Sequence, residues 1–343
     1  MRILILFLIV AGACSRSETS EPAEQAPEPA AEKAVQAAEE PAKSAEEAAS
    51  EPPPEAPPGI EAPIDLDSPP TVELLDAGKA PRKALRATFE AGAKQSLRVE
   101  SDWTVETVYG PMIKMTTVMP SLVYELETEA KEATDQGARF DFQVKSVTAK
   151  SSKGVKPAQV ENAKKVGGSL VGATGSFSIN ARGLVEELAI DAPSDASMLA
   201  SDMIDQIKQA IRLCSLPLPE EPVGKGAKWT ATQVIEQRTA KIKHTSTFEL
   251  VGVKGERVRA TRTHAAETPK QKLKMPGSRS DKSFKLDKLD FSGESKGAWR
   301  LNQLGPASAS EHTVTVFMMT APAPKKEAVV MAVDTTLEIK AQR

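Results

Sequence analysis

Gly293-Glu294-Ser295-Lys296-Gly297 has the spacing of a nucleophile elbow, in which a serine on a tight strand-to-helix turn attacks an acyl carbon. That chemistry needs a buried strand before the serine, a helix after it, and an acid and then a histidine later in the chain. Here a strand pattern follows Ser295, and the one downstream histidine, His312, precedes the candidate acid Asp334. The pentapeptide therefore reads as part of a Gly-rich hairpin, with no catalytic residue, and the chain as a non-enzyme. His244, His264 and His312 fall in separate strand-like runs, without H-E-x-x-H, paired cysteines or a clustered Asp loop. They read as ordinary sheet residues, and no metal is expected. Gly167, Gly168, Gly172 and Gly175 lack the G-x-x-x-x-G-K-[ST] order that cradles phosphate, so no cofactor is expected either.

The segment 268–288 is chemically more distinctive. Lys270, Lys272, Lys274, Arg279, Lys282, Lys285 and Lys288 are interleaved with Pro269, Pro276 and Gly277, which predicts an exposed basic excursion between two strands. Such a loop could contact lipid headgroups, lipopolysaccharide phosphates or the chain's own acidic arm. The plain alternative is a solvated insertion whose charge prevents aggregation.

The N-terminus defines the compartment. Arg2 is followed by the apolar run 3–10 and the small residues Ala11, Gly12 and Ala13 before Cys14, the pattern of a signal peptide too short to span a bilayer. Ala11-Gly12-Ala13-Cys14 resembles the lipobox of bacterial lipoproteins, with Ala11 where leucine is usual. The resemblance implies removal of residues 1–13, acylation of Cys14 and anchoring to a membrane through those acyl chains. Ser15 after the cysteine, by likeness to sorting in enteric bacteria, implies the outer membrane, facing the periplasm. With Cys14 acylated, Cys214 is the one remaining thiol, so no intramolecular disulfide can form. Cys214 falls on the apolar stripe of a predicted helix and reads as a small buried hydrophobe.

Residues 15–70 are nearly all Ala, Glu, Pro and Ser, with no aromatic, and cannot bury enough surface to offset backbone ordering. They form the tether of a 14–70 segment, and at roughly 3.1 Å per residue when extended they would reach on the order of 100 Å or more. This tether holds 14 acidic and three basic residues, a net of −11. Removing that and Arg2 from the chain total of −3 leaves +7 for residues 71–343. A basic domain on an acidic arm points to an anionic partner or to self-association. Nucleic acid is excluded by the exported location.

Period-two alternation dominates the rest, as in Leu97, Val99, Trp103, Val105 and Tyr109 against Arg98, Glu100, Asp102, Thr104 and Glu106. Similar runs cover 124–131, 140–144, 177–190 around Gly183, 229–237, 242–251, 257–264, 297–302, 308–318 and 329–339. Short turns separate them, which predicts an antiparallel meander with one wet face. One central helix is expected over 196–214, its stripe formed by Leu199, Ala200, Met203, Ile204, Ile207, Ile211 and Cys214. A second, peripheral helix is expected over 157–166. Gly175-Ser176-Phe177-Ser178-Ile179-Asn180 with Gly183 parallels Gly297-Ala298-Trp299-Arg300-Leu301-Asn302 with Gly305, which points to two similar halves. The expected fold class is therefore mainly β (α+β), a large curved antiparallel sheet packed on one helix, occupying 71–343.

This arrangement resembles the curved-sheet domains of periplasmic lipoprotein carriers and mycobacterial lipid-binding lipoproteins. The run Leu216-Pro217-Leu218-Pro219 and then Pro222-Val223-Gly224-Lys225-Gly226-Ala227-Lys228-Trp229 is similar to a segment of uncharacterised bacterial lipoprotein families. The likeness implies a fold and transfers no functional residues. Two functions follow as expectations. In the first, Met203, Ile207 and Ile211 line an apolar pocket for a lipid or other hydrophobic ligand, a use that flexible Met side chains suit. In the second, the sheet is fully packed and the domain is a structural or adaptor module, docking an anionic envelope component through basic residues such as Lys270, Lys272, Lys274, Arg279, Lys282 and Lys285.

Overall fold

The computed structural model describes residues 69–110, 113–191, 198–237, 240–273, 283–322 and 326–342. Cys14 and the segments read as signal and tether, up to residue 68, lie outside these residues. In chain order the elements are β1 (Thr71–Asp76), β2 (Lys94–Tyr109), β3 (Ile113–Val118), β4 (Ser121–Thr134), β5 (Gly137–Lys150), α1 (Pro157–Leu170), β6 (Thr174–Asn180) and β7 (Val185–Ile190). They continue with α2 (Met198–Cys214), β8 (Lys228–Gln237), β9 (Ala240–Lys254), β10 (Arg257–Glu267), β11 (Gln271–Leu273), β12 (Phe284–Arg300), β13 (Pro306–Thr320) and β14 (Ala328–Gln342).

All strands join one open antiparallel sheet in the order β1-β8-β9-β10-β12-β13-β14-β2-β4-β5-β6-β7, with β11 beside β12 and β3 beside β2. Two meanders are thus joined where the C-terminal β14 pairs with β2, from Val329 opposite Tyr109 to Gln342 opposite Ser96. Sequence periodicity anticipates most of these strands but not β1, β3, β11 or β12 before Gly297. In β12 a register shift between Leu286 and Lys288 breaks the alternation, which hides a strand inside the segment that reads as a basic loop.

The helix α2 packs its stripe onto one face of the sheet, the helix face. Ala200, Met203, Ile207, Ala210, Ile211 and Cys214 are buried there with Leu97, Val99, Tyr124, Leu126, Leu337 and Ile339. The helix α1 runs one turn beyond the expected 157–166, through Gly167 and Gly168. Gly167 is the reason that it lies close on β5: a Cβ there would come 2.6 Å from Val147 Cγ1.

The segment Leu216 to Trp229 is a clamp at one end of the sheet. Pro217 O accepts from Trp229 Nε1 at 2.7 Å, Leu218 N donates to Arg182 O at 2.8 Å, and Ser215 Oγ donates to Gly183 O at 2.6 Å. The two turns of similar sequence, after β6 and after β12, meet the same stretch of chain: Ala87 N donates to Ala181 O and Thr88 N to Leu301 O. The run Leu216 to Trp229 thus ties the turn after β6 to the start of β8.

Candidate functional site: a buried ionic layer

Alternation in β10 puts Val258, Ala260, Arg262, His264 and Ala266 on the helix face. In β13 it does the same for Ala309, Glu311, Thr313, Thr315, Phe317 and Met319. Charged residues thus occupy positions in the apolar phase. Cross-strand register then aligns Phe248, Arg262, Ser295, Glu311 and Leu337 in one row across β9, β10, β12, β13 and β14.

Within that row Arg262 Nε donates to Ser295 Oγ at 3.0 Å, and Arg262 Nη2 pairs with Glu311 Oε2 over the small serine. From α2, Gln209 Nε2 donates to Glu311 Oε1 at 2.8 Å. The Arg262 guanidinium also stands 5.6 Å from the centre of the Phe248 ring. One row along, His264 faces Ser246 on β9 and Gly293 on β12. Its Nε2 lies 2.9 Å from Glu311 Oε2, off the line of an ideal hydrogen bond. Its Nδ1 is 3.1 Å from His244 Nε2 and 3.2 Å from Ser246 Oγ. These contacts assign the Nε2–H tautomer to His264, with Nδ1 accepting. Phe291 sets its edge against both imidazoles.

The charge state follows from the surroundings. Burial alone would raise the Glu311 carboxyl, but Arg262, His264 and Gln209 together outweigh it and hold the group down at about 2. Burial takes His244 down to about 3, helped by His264, Arg262 and Arg212 and opposed by Glu311. Burial also lowers His264, against its contact with Glu311. At neutral pH the layer is one ion pair flanked by two uncharged imidazoles.

Ser246, His264 and Glu311 have the hydroxyl, imidazole, carboxylate order of a nucleophile relay. The geometry does not serve one. Ser246 is buried in mid-strand, paired with both Ala231 and His264, so no substrate reaches its Oγ. His244 shares the ring nitrogen that would take the proton, and Arg262 already neutralises the acid. What the arrangement does is hold charge and hydroxyls in register beneath α2.

The expected Gly-rich hairpin at 293–297 is corrected: the pentapeptide lies within β12, paired on both sides by β10 and β13. Gly293, Ser295 and Gly297 all point to the helix face from mid-β12, forming a trough of small residues. A Cβ on Gly297 would lie 2.5 Å from the Trp299 ring, and one on Gly293 would lie 2.7 Å from Thr313 Cγ2. Larger groups from β10 and β13 meet across this trough.

The reading of His244, His264 and His312 as isolated residues is corrected: His244 and His264 stack at 5.1 Å between ring centres, and His312 Nε2 is 3.0 Å from Asp334 Oδ1. Strands that are distant in sequence are neighbours in the sheet, which a linear reading does not bring together. Among the described residues no group of three His, Cys, Asp or Glu is placed to hold a metal ion. Met203, Ile207 and Ile211 are fully buried in the core under α2. Beside them, the gap bounded by Leu213, Ser295, Trp299, Glu311, Leu337 and Ile339 does not admit a water molecule. Burial pushes the Cys214 thiol up to about 12. Of the expected anion-contact residues, Lys270 and Lys272 are exposed, and Lys285 pairs with Asp287 at 2.7 Å. Lys274, Arg279 and Lys282 lie outside the described residues.

An open groove of about 600 Å³ lies at the clamp end of the sheet, lined by Phe89, Gln95, Thr128, Arg300, Asn302 and Gln342 among others. Reading polar residues in the apolar phase of β9, β10 and β13 as a set would have found the ionic layer. No protein-family model and no curated protein matches the chain.

Proposed function

We propose that this chain is an acyl-anchored envelope lipoprotein whose β domain is a non-catalytic adaptor, carried on its acidic tether and engaging partners through its outer surface. The observation that supports this reading is the closed space beneath α2. Met203, Ile207 and Ile211 fill it together with sheet side chains, and the gap beside them is too small for water. Of the two expected functions, such packing favours the adaptor over the hydrophobic-ligand carrier. The ionic layer supports the same reading, because its polar groups are spent on one another. Anchoring rests on the lipobox-like Ala11-Gly12-Ala13-Cys14 and on the sorting of Ser15, which favours the outer membrane and its periplasmic side. Growth with labelled palmitate tests it: label enters the parent chain and not Cys14→Ser, and membranes washed with high salt retain the parent and release the variant. An unlabelled parent, or a variant that resists the high-salt wash as the parent does, would overturn the anchor.

A further inference from the structure

Cations on the outer face of the sheet are handled in two different ways. On β2, β4 and β5 they face carboxylates: Lys150 pairs with Glu100 at 2.8 Å, Lys131 with Glu129 at 2.9 Å, and Arg98 lies between Glu100 and Glu125. At the tip of the β9–β10 hairpin they face each other. Lys254 is directly opposite Arg257, which is directly opposite Arg300 on β12, and Arg259 follows two residues on. Among the described residues no carboxylate pairs with any of these four. Like charges in direct cross-strand register are unfavourable, so an outside anion would relieve such a row.

A second observation narrows the anion. The strand entering this turn exposes Val251 at 39 % and Val253 at 42 %, two of the few large apolar residues left open on the described surface. Lys254 and Arg257 close a two-residue turn at Gly255-Glu256, where Gly255 has φ 58°; Val253 is directly opposite buried Val258, on the helix face, whereas Lys254, Arg257 and Arg259 lie on the outer face, so exposed valine and cations flank the two sides of this one turn. Exposed aliphatics and cations on the two sides of one turn suit end-on entry into a headgroup layer, where the charges meet phosphate and the apolar side chains enter the acyl boundary.

We propose that the tip of the β9–β10 hairpin, Val251 to Arg259 with Arg300, docks the domain onto an anionic phospholipid surface. The proposal deepens the adaptor reading, and rests on it, by naming the partner of the outer surface. The acyl anchor at the far end of the tether would raise the effective concentration of headgroups at this turn.

The test uses the full chain carrying Cys14→Ser, so that no acyl group contributes, in sedimentation with phosphatidylcholine vesicles with and without phosphatidylglycerol. Binding is expected only with phosphatidylglycerol, and it weakens as salt is raised. Each cation near the surface is worth about five-fold, so Lys254→Ala/Arg257→Ala/Arg259→Ala should weaken binding about a hundred-fold. Val251→Ser/Val253→Ser should weaken it with little change in salt dependence. The control Lys131→Ala/Lys145→Ala/Lys150→Ala removes the same charge from the paired face and should leave most binding intact. No binding to phosphatidylglycerol vesicles, or equal loss in both triple variants, overturns the proposal. No vesicle binding by the Cys14→Ser chain, with palmitate entering the parent, would refute the hairpin and leave the anchor standing, whereas a parent without palmitate would refute the anchor alone.

Discussion

Arg262 and Glu311 stand on strands that are not neighbours, β10 and β13, and pair across Ser295 of the strand between them, with 8 % and 5 % of their side chains exposed. A pair this deep loses solvation on both partners, so its two halves are far more costly to separate than to remove together. Arg262→Met or Glu311→Leu alone should cost about 3–5 kcal/mol, because either leaves an uncompensated buried charge. The double variant should return to within about 1–2 kcal/mol of the parent or exceed it. Urea unfolding of the four proteins checks this, and equal, additive losses would show that the pair is not coupled.

Acid should destabilise the domain from near pH 6.5 downward. His244 stays neutral in the fold until about pH 3, whereas its ordinary value is 6.5, so between these the unfolded chain binds the extra proton. Glu311 keeps its charge until about pH 2 against an ordinary 4.5, so it adds a loss of the same sign from 4.5 downward. Arg262 and His264, and Arg212 from α2, face His244 as well and resist any added positive charge there. Stability is thus fully present above 6.5 and falls at up to about 1.4 kcal/mol per pH unit for each group. Thermal melts across this range test the slope, and His244→Phe should flatten its upper part.

Small residues in β12 should tolerate little. Ser295→Ala leaves the buried Arg262 Nε without its acceptor and should cost about 1–3 kcal/mol. Gly297→Ala drives a methyl into the Trp299 ring and should cost about 1–3 kcal/mol through overpacking. Chemical denaturation measures both, and a neutral Gly297→Ala would refute the trough.

The two glycines of α1 should diverge. A Cβ on Gly168 meets nothing within 4 Å, so Gly168→Ala should stabilise by about 0.5–1 kcal/mol through helix propensity. Gly167→Ala gains the same propensity but collides with Val147, and should be destabilising overall. Melting temperatures moving in opposite directions would confirm the close seat of α1 on β5.

The sheet and the central helix were legible because alternation and helical spacing are local signals. Leu97 to Tyr109 and the stripe from Leu199 to Cys214 state their periods within one window of sequence. The part of β12 before Gly297 was not legible: the irregularity at Asp287 moves Leu286 and Leu289 out of a single alternation, and the small residues Gly293 and Ser295 stand in the inward phase where apolar side chains would mark it. The ionic layer was missed for another reason. His244, His264, Ser295 and Glu311 are joined by cross-strand register, and no residue in one strand announces which residue of another will lie beside it. A sign of it was present in β10 and β13, where Arg262, His264 and Glu311 interrupt the apolar phase of otherwise regular strands.

The most direct measurement of the adaptor account is the intact mass of the full-length protein taken from membranes under conditions that preserve noncovalent complexes. The account predicts the chain from Cys14 onward with its acyl groups and no hydrophobic molecule retained inside the domain. A lipid that stays with the domain through release from detergent, and is lost when Ile207→Trp crowds the space under α2, would contradict it.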